Sequence, residues 1–127
     1  MLEVNTPADM KSYVGKELGV SDWIVIDQER INRFADATND HQWIHVDPER
    51  AAKELPTTST IAHGYLTMSL IAGLPVFRIK KTSNMINYGA NKVRFTNMVP
   101  VDSKVRLRTK LLAADEVKGD GVRLTCE

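Results

Sequence analysis

The chain has 127 residues, a net charge of +1 and a hydrophobic content of 43%, which is typical of one globular domain. A net charge this small gives no overall attraction to nucleic acid or to a membrane surface. No apolar run reaches the ~20 residues of a membrane span, and residues 1–19 lack the apolar core of a signal peptide. The single cysteine, Cys126, can form no internal disulfide. We therefore expect one cytoplasmic domain over residues 1–127, with no nucleic-acid or membrane partner.

The first predicted elements are a strand and a capped helix. Residues 22–27 are rich in β-branched and apolar side chains, which favours a short strand. Asp27 then suits the N-cap of a helix from about Gln28 to Thr38, and Asn39 suits its C-terminal stop. The spacing gives this helix one apolar face, formed by Ile31, Phe34 and Ala35.

A second helix is predicted to begin at Pro48, which occupies the first helical position after the N-cap Asp47. Residues 39–46 therefore lie between the end of one helix and the start of the next, and we expect them to form a loop. Loops held between rigid elements are common places for functional residues.

Residues 59–75 would place apolar side chains on nearly every face of a helix, and a helix that is apolar all round is usually buried. We expect this helix to run from about residue 62 to 73, capped by Ser59 or Thr60 and ended by Gly73. It should be the most buried helix of the fold.

The second half of the chain has the alternation typical of strands. One strand is predicted over 85–98, with a β-bulge at Gly89 where the alternation changes parity, and a second over 103–113. A turn at 119–121 precedes a further strand from Val122. The predicted fold is therefore α+β, with an antiparallel sheet wrapped around a long buried helix.

Asp40 and His45 are the first candidate catalytic residues. On a helix their spacing would separate them by about 140°, whereas on a loop they can converge and activate water. The alternative is that Asp40 is a local cap and His45 a satisfied polar residue, and spacing alone does not separate the two. His41 and His45 would form a metal pair only on a helix, and no third ligand has matching spacing, so we expect no metal.

His63 and Gly64 are predicted to lie in the first turn of the buried helix, where backbone N–H groups are free, and His63 is a candidate substrate contact there. Gly64 has no side chain to block a ligand oxygen, so its N–H can polarise a carbonyl. The alternative is that Gly64 only allows another element to pack closely.

Several further residues are candidate substrate contacts, each with a simpler alternative. Trp43 suits the wall of an acyl tunnel or ordinary packing. Asn87 and Asn91 share a face of the predicted strand and suit ligand hydrogen bonds or solvent contact. Basic residues on one face of strand 103–113 suit phosphate contacts or a solvated outer face; they are Lys104, Arg106, Arg108 and Lys110.

Three stretches resemble one known family. They are FADATNDHQWIHVDPERAA at 34–52, STIAHGYLTMSLI at 59–71 and INYGANKVRF at 86–95. Together they are similar to single-domain bacterial members of the MaoC-like dehydratase family, the (R)-specific enoyl-CoA hydratases. The likeness extends from about residue 10 to the end of the chain, and its first stretch is the most specific.

The resemblance implies a homodimer of hot-dog subunits that reversibly hydrates a trans-2-enoyl thioester of CoA or acyl carrier protein to the (R)-3-hydroxyacyl product. It places Asp40 and His45 on the catalytic pair, which holds one water between the two side chains. His45 would take the proton of that water, and Asp40 would orient the water and deliver a proton to the α-carbon. Gly64 N–H would bind the thioester oxygen, and the reaction needs no metal or redox cofactor.

Two departures from the family pattern bear on these expectations. Asn39 stands where the family usually has glycine, and asparagine tolerates a left-handed backbone better than most residues. The strand pattern stops at Glu127, so we expect the final strand to be missing, the sheet edge to be open and the dimer to be weaker. The alternative functions are a hot-dog acyl-CoA thioesterase and a non-catalytic acyl-thioester binding module.

Overall fold

The structure of the protein, a computed structural model, describes residues 1–127 and divides them into two compact units. The first unit comprises Met1–Asp22, Leu74–Ala90 and Arg106–Glu127. The second comprises Trp23–Gly73 and Asn91–Val105. The assignment of residues 1–127 to one domain stays a prediction.

Seven strands, four α-helices and two 3-10 helices form the secondary structure, which is the α+β content that the sequence predicts. In chain order they are β1 (Leu2–Val4), a 3-10 helix (Pro7–Tyr13), β2 (Glu17–Val20), β3 (Ile24–Ile26), α1 (Gln28–Thr38), α2 (Trp43–Val46), α3 (Pro48–Glu54), α4 (Gly64–Ser69), a 3-10 helix (Leu70–Gly73), β4 (Phe77–Ile79), β5 (Ser103–Val105), β6 (Arg108–Val117) and β7 (Gly121–Cys126).

The first unit contains a three-stranded antiparallel sheet in the order β2-β6-β7 and a parallel pair, β1 with β4. Its core is formed by Val4, Met10, Leu18, Ile79 and Leu111. The predicted turn between the last two strands is confirmed, because the chain reverses over residues 118–120 and β7 follows. The sequence patterns did not predict β1, β2, β4 or the first 3-10 helix.

The second unit pairs β3 with β5 and packs α1 against a core of Ile26, Ile31, Ala62 and Leu66. The strand predicted at 22–27 is confirmed in its central residues, and the helix Gln28–Thr38 is confirmed at both ends. Local polar groups explain these limits. The Asp27 carboxylate accepts from Arg30 N–H at 2.8 Å, and Asn39 ends the helix in a left-handed conformation with φ of 59°.

The start of α3 is confirmed as well. The Asp47 side chain accepts a hydrogen bond from the Arg50 N–H at 3.1 Å, and Pro48 is the first helical residue. Between the two confirmed helices, however, residues 39–46 are not entirely a loop, which corrects the prediction. Residues Trp43–Val46 form the single turn of α2.

The strand predicted over 85–98 is absent, and so is its bulge at Gly89. These residues lie outside any strand and are exposed, with Ile86 82% and Tyr88 84% accessible. Alternation of apolar and polar residues indicates which side of an extended segment is apolar, but a strand also needs a hydrogen-bonded neighbour. Segment 85–98 pairs with none of the seven strands, so its alternation is not accompanied by a hydrogen-bonded ladder.

The strand predicted over 103–113 is divided into β5 and β6. At the break the Ser21 hydroxyl accepts the Leu107 N–H at 2.9 Å, and Ser21 N–H donates to the Leu107 carbonyl at 2.8 Å. A side-chain acceptor thus replaces a strand partner at this position. The predicted outward face is confirmed, because all four basic residues of the stripe are exposed; they are Lys104, Arg106, Arg108 and Lys110.

The helix predicted from 62 to 73 is shorter and less buried than expected. It consists of α4 followed by a 3-10 turn, and Leu66 is its only buried residue, while Tyr65 is 66% exposed. Its cap is His63 rather than Ser59 or Thr60, because residues 60–62 are held extended by backbone bonds to Ile44, Val99 and Val101. No helix of the chain combines the length and the apolar character that crossing a membrane requires.

Candidate active site

The two residues predicted as a catalytic pair come from different local structures of the second unit. Asp40 is exposed and directly follows the left-handed Asn39, which turns the chain out of α1. His45 lies in the single turn of α2 and is only 6% exposed. One carboxylate oxygen of Asp40 and one ring nitrogen of His45 lie within 4.8 Å of each other. The two side chains therefore converge, as the catalytic interpretation requires, while their roles stay predictions.

The imidazole of His45 is held in one tautomer. Its Nδ1 lies 2.7 Å from the Ile61 carbonyl oxygen, and a carbonyl can only accept, so Nδ1 carries the proton. Nε2 of the neutral ring then has a free lone pair, which is what a general base needs. A backbone bond from Ile61 N–H to the Ile44 carbonyl at 3.0 Å fixes the acceptor beside α2.

A buried polar connection that the sequence analysis missed supports this turn from α1. The Gln28 side-chain amide donates to the His45 carbonyl at 2.7 Å, and the Thr60 hydroxyl donates to Gln28 Oε1 at 2.5 Å. Thr60 is 1% exposed, so its hydroxyl needs a partner inside the protein. The only sequence signal is a threonine shortly before the predicted buried helix, and a capping role explains that equally well.

His63, predicted as a substrate contact, lies against both members of the pair. Its Nε2–H donates to the Asp40 carbonyl at 3.0 Å. Its ring stacks on that of His45, with centroids 3.8 Å apart and an interplanar angle of 21°. Phe34 provides a second ring contact at 4.9 Å. His63 is 3% exposed, and its Nδ1 is fully buried without a hydrogen-bond partner.

Burial lowers the pKa of His45 below its ordinary value of 6.5, and repulsion from His63 adds to this effect. The Ile61 hydrogen bond and the Asp40 charge act in the opposite direction without reversing it. The ring is therefore neutral at pH 7, which matches the tautomer that the Ile61 bond selects.

We expect this lowered pKa to make the protein less stable in acid. The unfolded chain binds the His45 proton more strongly, so the stabilisation is fully present above about pH 6.5 and is lost as the pH falls through the folded value. An NMR titration of His45, with denaturant unfolding at several pH values, measures both effects. The variant His45→Asn should show a weaker pH dependence, and a His45 that titrates above 6.5 would contradict this prediction.

The donors Asp40, His45 and His63 have the composition of a two-histidine, one-carboxylate metal site. The stacked rings do not fit one ion, however. The ring centroids are 3.8 Å apart and the planes are tilted by only 21°, so one ion cannot lie in both ring planes at the ~2.0–2.1 Å of a Zn–N bond. His41, which would pair with His45 on a metal only if the segment were helical, instead contacts the Asp36 carboxylate at 2.9 Å. The expectation of no metal stays a prediction.

Gly64 is the first residue of α4, and its N–H makes no hydrogen bond. A side chain there would meet the ring of Phe95, since an added Cβ would lie 2.9 Å from two of its carbons. Phe95 also makes an edge-on contact with Tyr65, with centroids 6.0 Å apart. Gly64 thus leaves space for packing and presents an unbonded N–H, so both interpretations of this glycine remain open.

The other predicted substrate contacts have local partners or are exposed. The Arg50 guanidinium lies 4.1 Å from the Trp43 ring centroid, a cation–π contact that favours packing. Asn87 and Asn91 are exposed and lie outside any strand, so the predicted shared strand face is absent. Arg106 and Arg108 are exposed, and Arg108 lies 3.6 Å from the Glu17 carboxylate. The binding roles of these residues stay predictions.

Comparison with known proteins places this geometry in context. Residues 9–125 match the family described as MaoC like domain. The chain is 48% identical over 120 residues to 3-hydroxyacyl-thioester dehydratase Z of Mycobacterium tuberculosis, which covers 93% of this chain and 79% of the relative.

Two solved structures are similar in fold, each 23% identical and each aligned over 89% of this chain. They are the MaoC-like dehydratase from Rhodospirillum rubrum (TM-score 0.67, 77% of that chain) and R-hydratase PhaJ1 from Pseudomonas aeruginosa in the unliganded form (TM-score 0.65, 68% of that chain). The fold is therefore the α+β hot-dog fold. The family match and the 48% identity to the mycobacterial dehydratase show that the protein is a lyase of the hydratase and dehydratase class. The chain belongs to the MaoC-like domain family.

Proposed function

We propose that this chain reversibly adds water to a trans-2-enoyl thioester of CoA or acyl carrier protein and forms the (R)-3-hydroxyacyl thioester. The observation that supports this proposal most strongly is that a carboxylate oxygen of Asp40 lies within 4.8 Å of a ring nitrogen of His45. Two hydrogen bonds of ~2.8 Å to one water at a near-tetrahedral angle span about 4.6 Å, a separation that lies within this limit, and we place one bridging water between the two groups. The name of the mycobacterial relative, a 3-hydroxyacyl-thioester dehydratase, describes the reverse reaction.

In this mechanism the neutral His45 takes a proton from the bridging water as its oxygen bonds to the β-carbon. The Asp40 carboxylate orients the water and stabilises the imidazolium that forms. The imidazolium passes this proton to Asp40, which delivers it to the α-carbon on the same face, so the net change is syn addition of one water and both side chains return to their starting state. No electrons are transferred, so the proposed reaction uses no redox cofactor, and we propose that it uses no metal. We also propose a cytoplasmic location and a role in fatty acid metabolism.

Negative charge develops on the thioester oxygen when water attacks the β-carbon. The unbonded N–H of Gly64 is the donor that we assign to this oxygen. Gly64 directly follows His63, whose ring contacts both members of the pair, so the amide lies one residue from the proposed reaction centre.

The test follows the loss of enoyl absorbance with crotonyl-CoA and with a long-chain enoyl-CoA, combined with chiral analysis of the product. We expect absorbance loss with (R)-3-hydroxyacyl-CoA as the product. Release of free thiol from acyl-CoA without loss of the double bond would instead identify a thioesterase. Binding without either reaction would identify a binding module.

The exposed basic stripe is the proposed contact for CoA phosphates. We expect KM for a CoA substrate to rise with salt, because exposed charges are screened over ~8–10 Å. Arg106→Ala and Arg108→Ala should each raise KM without changing kcat, whereas Arg33→Ala on α1, outside the stripe, should change neither. An unchanged KM in both stripe variants would leave the stripe as a solvated face.

The working unit that we propose is a homodimer. Tyr65 and Phe95 are in contact with each other and are 66% and 53% exposed, which is a high accessibility for neighbouring aromatic rings. Burial against a second copy would remove this apolar area from water. Sedimentation at micromolar concentration should give twice the chain mass. A well-behaved monomer that still hydrates enoyl-CoA would contradict the dimer and leave the site assignment intact.

A further inference from the structure

We propose that His63 is a positioning residue: its Nε2–H fixes the main chain at Asp40, and its ring face fixes the plane of the His45 imidazole. This role rests on the proposed function, because Asp40 and His45 are the residues to be positioned. His63 would therefore contribute to turnover by holding the two other side chains in place.

The hydrogen bond to Asp40 matters because little else holds this residue. The Asp40 side chain is exposed, and its contact with the Gln42 N–H is long, at 3.4 Å. The bond from His63 to the Asp40 carbonyl, at 3.0 Å, joins residues 23 positions apart in the sequence. It connects the exposed loop to a buried residue at the start of α4, and so limits where the carboxylate can lie.

The stacking contact acts on His45 in a different way. The bond from Nδ1 to Ile61 fixes one atom of the imidazole but leaves the ring free to swing about that bond. A face contact with His63 at 3.8 Å restricts the swing, because the ring plane must stay nearly parallel to its neighbour. Phe34 contacts the same His63 ring and so restricts its movement. The direction of the His45 Nε2 lone pair is thereby set by two contacts.

The unpartnered Nδ1 of His63 argues for positioning rather than proton transfer. A carbonyl accepts from Nε2, so the neutral ring has its proton on Nε2 and a bare lone pair on the buried Nδ1. Because Nδ1 is fully buried, it is not accessible to substrate. Nε2 already holds the Asp40 carbonyl, and neither nitrogen is then free to exchange a proton with substrate.

Three variants separate the two contacts. The side-chain amide of His63→Gln can reach the place of Nε2 and donate to Asp40, whereas that of His63→Asn is too short. His63→Phe keeps a ring against His45 but has no donor. We expect kcat to fall about 10²-fold in His63→Phe, which loses only the donor, and further in His63→Asn, which loses both contacts, with KM changed less than about twofold, as for a ~1 Å misplacement of catalytic groups. His63→Gln should recover about tenfold of this loss.

A readout that a purely structural role would not move is the pH profile of kcat/KM. The titratable groups facing His45 are Asp40, whose charge raises the His45 pKa, and His63, whose stacked ring covers one face of the imidazole, and burial is the largest cause that lowers this pKa. In His63→Gln the acid limb should therefore move to higher pH. The control His41→Gln alters an exposed histidine that contacts Asp36, and should change neither kcat nor the profile.

Normal kcat in His63→Phe, or equal losses in the Gln and Asn variants, would overturn the proposal. If a variant does not fold, NMR of the unaltered protein still decides. Nitrogen-15 spectra at pH 7 should show His63 with its proton on Nε2, and a proton on Nδ1 would refute the Asp40 bond. Because this measurement needs no substrate, it separates failure of the positioning role from failure of the proposed reaction.

Discussion

Asp40→Asn and His45→Ala should each lower turnover of an enoyl thioester by about 10²–10⁴-fold, the usual effect of removing a general acid or base. Asp40→Asn keeps the shape of the side chain but removes the charge that stabilises an imidazolium. His45→Ala removes the lone pair that accepts the proton of water. Since the two act on one water, the double variant should be little worse than either single variant.

The His45 variant needs a structural control, because the imidazole also bonds to Ile61 and stacks on His63. In His45→Asn the amide nitrogen is placed where Nδ1 lies, so the bond to Ile61 can persist without a base. We expect this variant to be as inactive as His45→Ala and closer in thermal stability to the unaltered protein. His41→Ala should retain full turnover. Near-normal turnover in Asp40→Asn or His45→Asn would refute the assigned roles.

The limits of α1 and α3 could be predicted because they depend on contacts between near neighbours. Asp27 and Asp47 each accept from a backbone N–H three residues later, and Asn39 adopts the left-handed conformation that its side chain tolerates. Such contacts can be inferred from the residue types and their spacing along the chain. The position of the candidate pair was likewise predictable, because it lies between the predicted end of α1 and the predicted start of α3 and matches a family motif.

Contacts between distant residues account for what the sequence did not predict. The bonds of His63 to Asp40 and of Gln28 to His45 join positions 23 and 17 apart, and no spacing rule connects them. The extended backbone at 60–62, which moves the start of α4 to Gly64, depends on residues as distant as Val99 and Val101. Segment 85–98 has the side-chain alternation of a strand, but only a neighbouring strand can make it one.

The role of the Gly64 N–H can be separated from its role in packing. Gly64→Ala keeps the N–H but places a Cβ 2.9 Å from the Phe95 ring, so Phe95 or the start of α4 must shift. We expect Phe95→Ala to relieve this overlap, so that Gly64→Ala in the Phe95→Ala background regains the stability and turnover of Phe95→Ala alone. That double variant is the reference for a protein that has the N–H and no steric conflict.

Gly64→Pro in the same Phe95→Ala background removes the N–H and should lower kcat about 10²–10³-fold relative to the Gly64→Ala reference, the usual cost of losing an oxyanion donor. Proline is suited to this position, because Gly64 is the first helical residue and needs no intrahelical donor. The preceding His63, with φ of −59° and ψ of 137°, already has the backbone that a following proline requires. Thermal unfolding should therefore be similar in the two double variants, and the difference in kcat reports the N–H alone. Equal turnover would mean that Gly64 only leaves space for Phe95, and the thioester oxygen would need another donor.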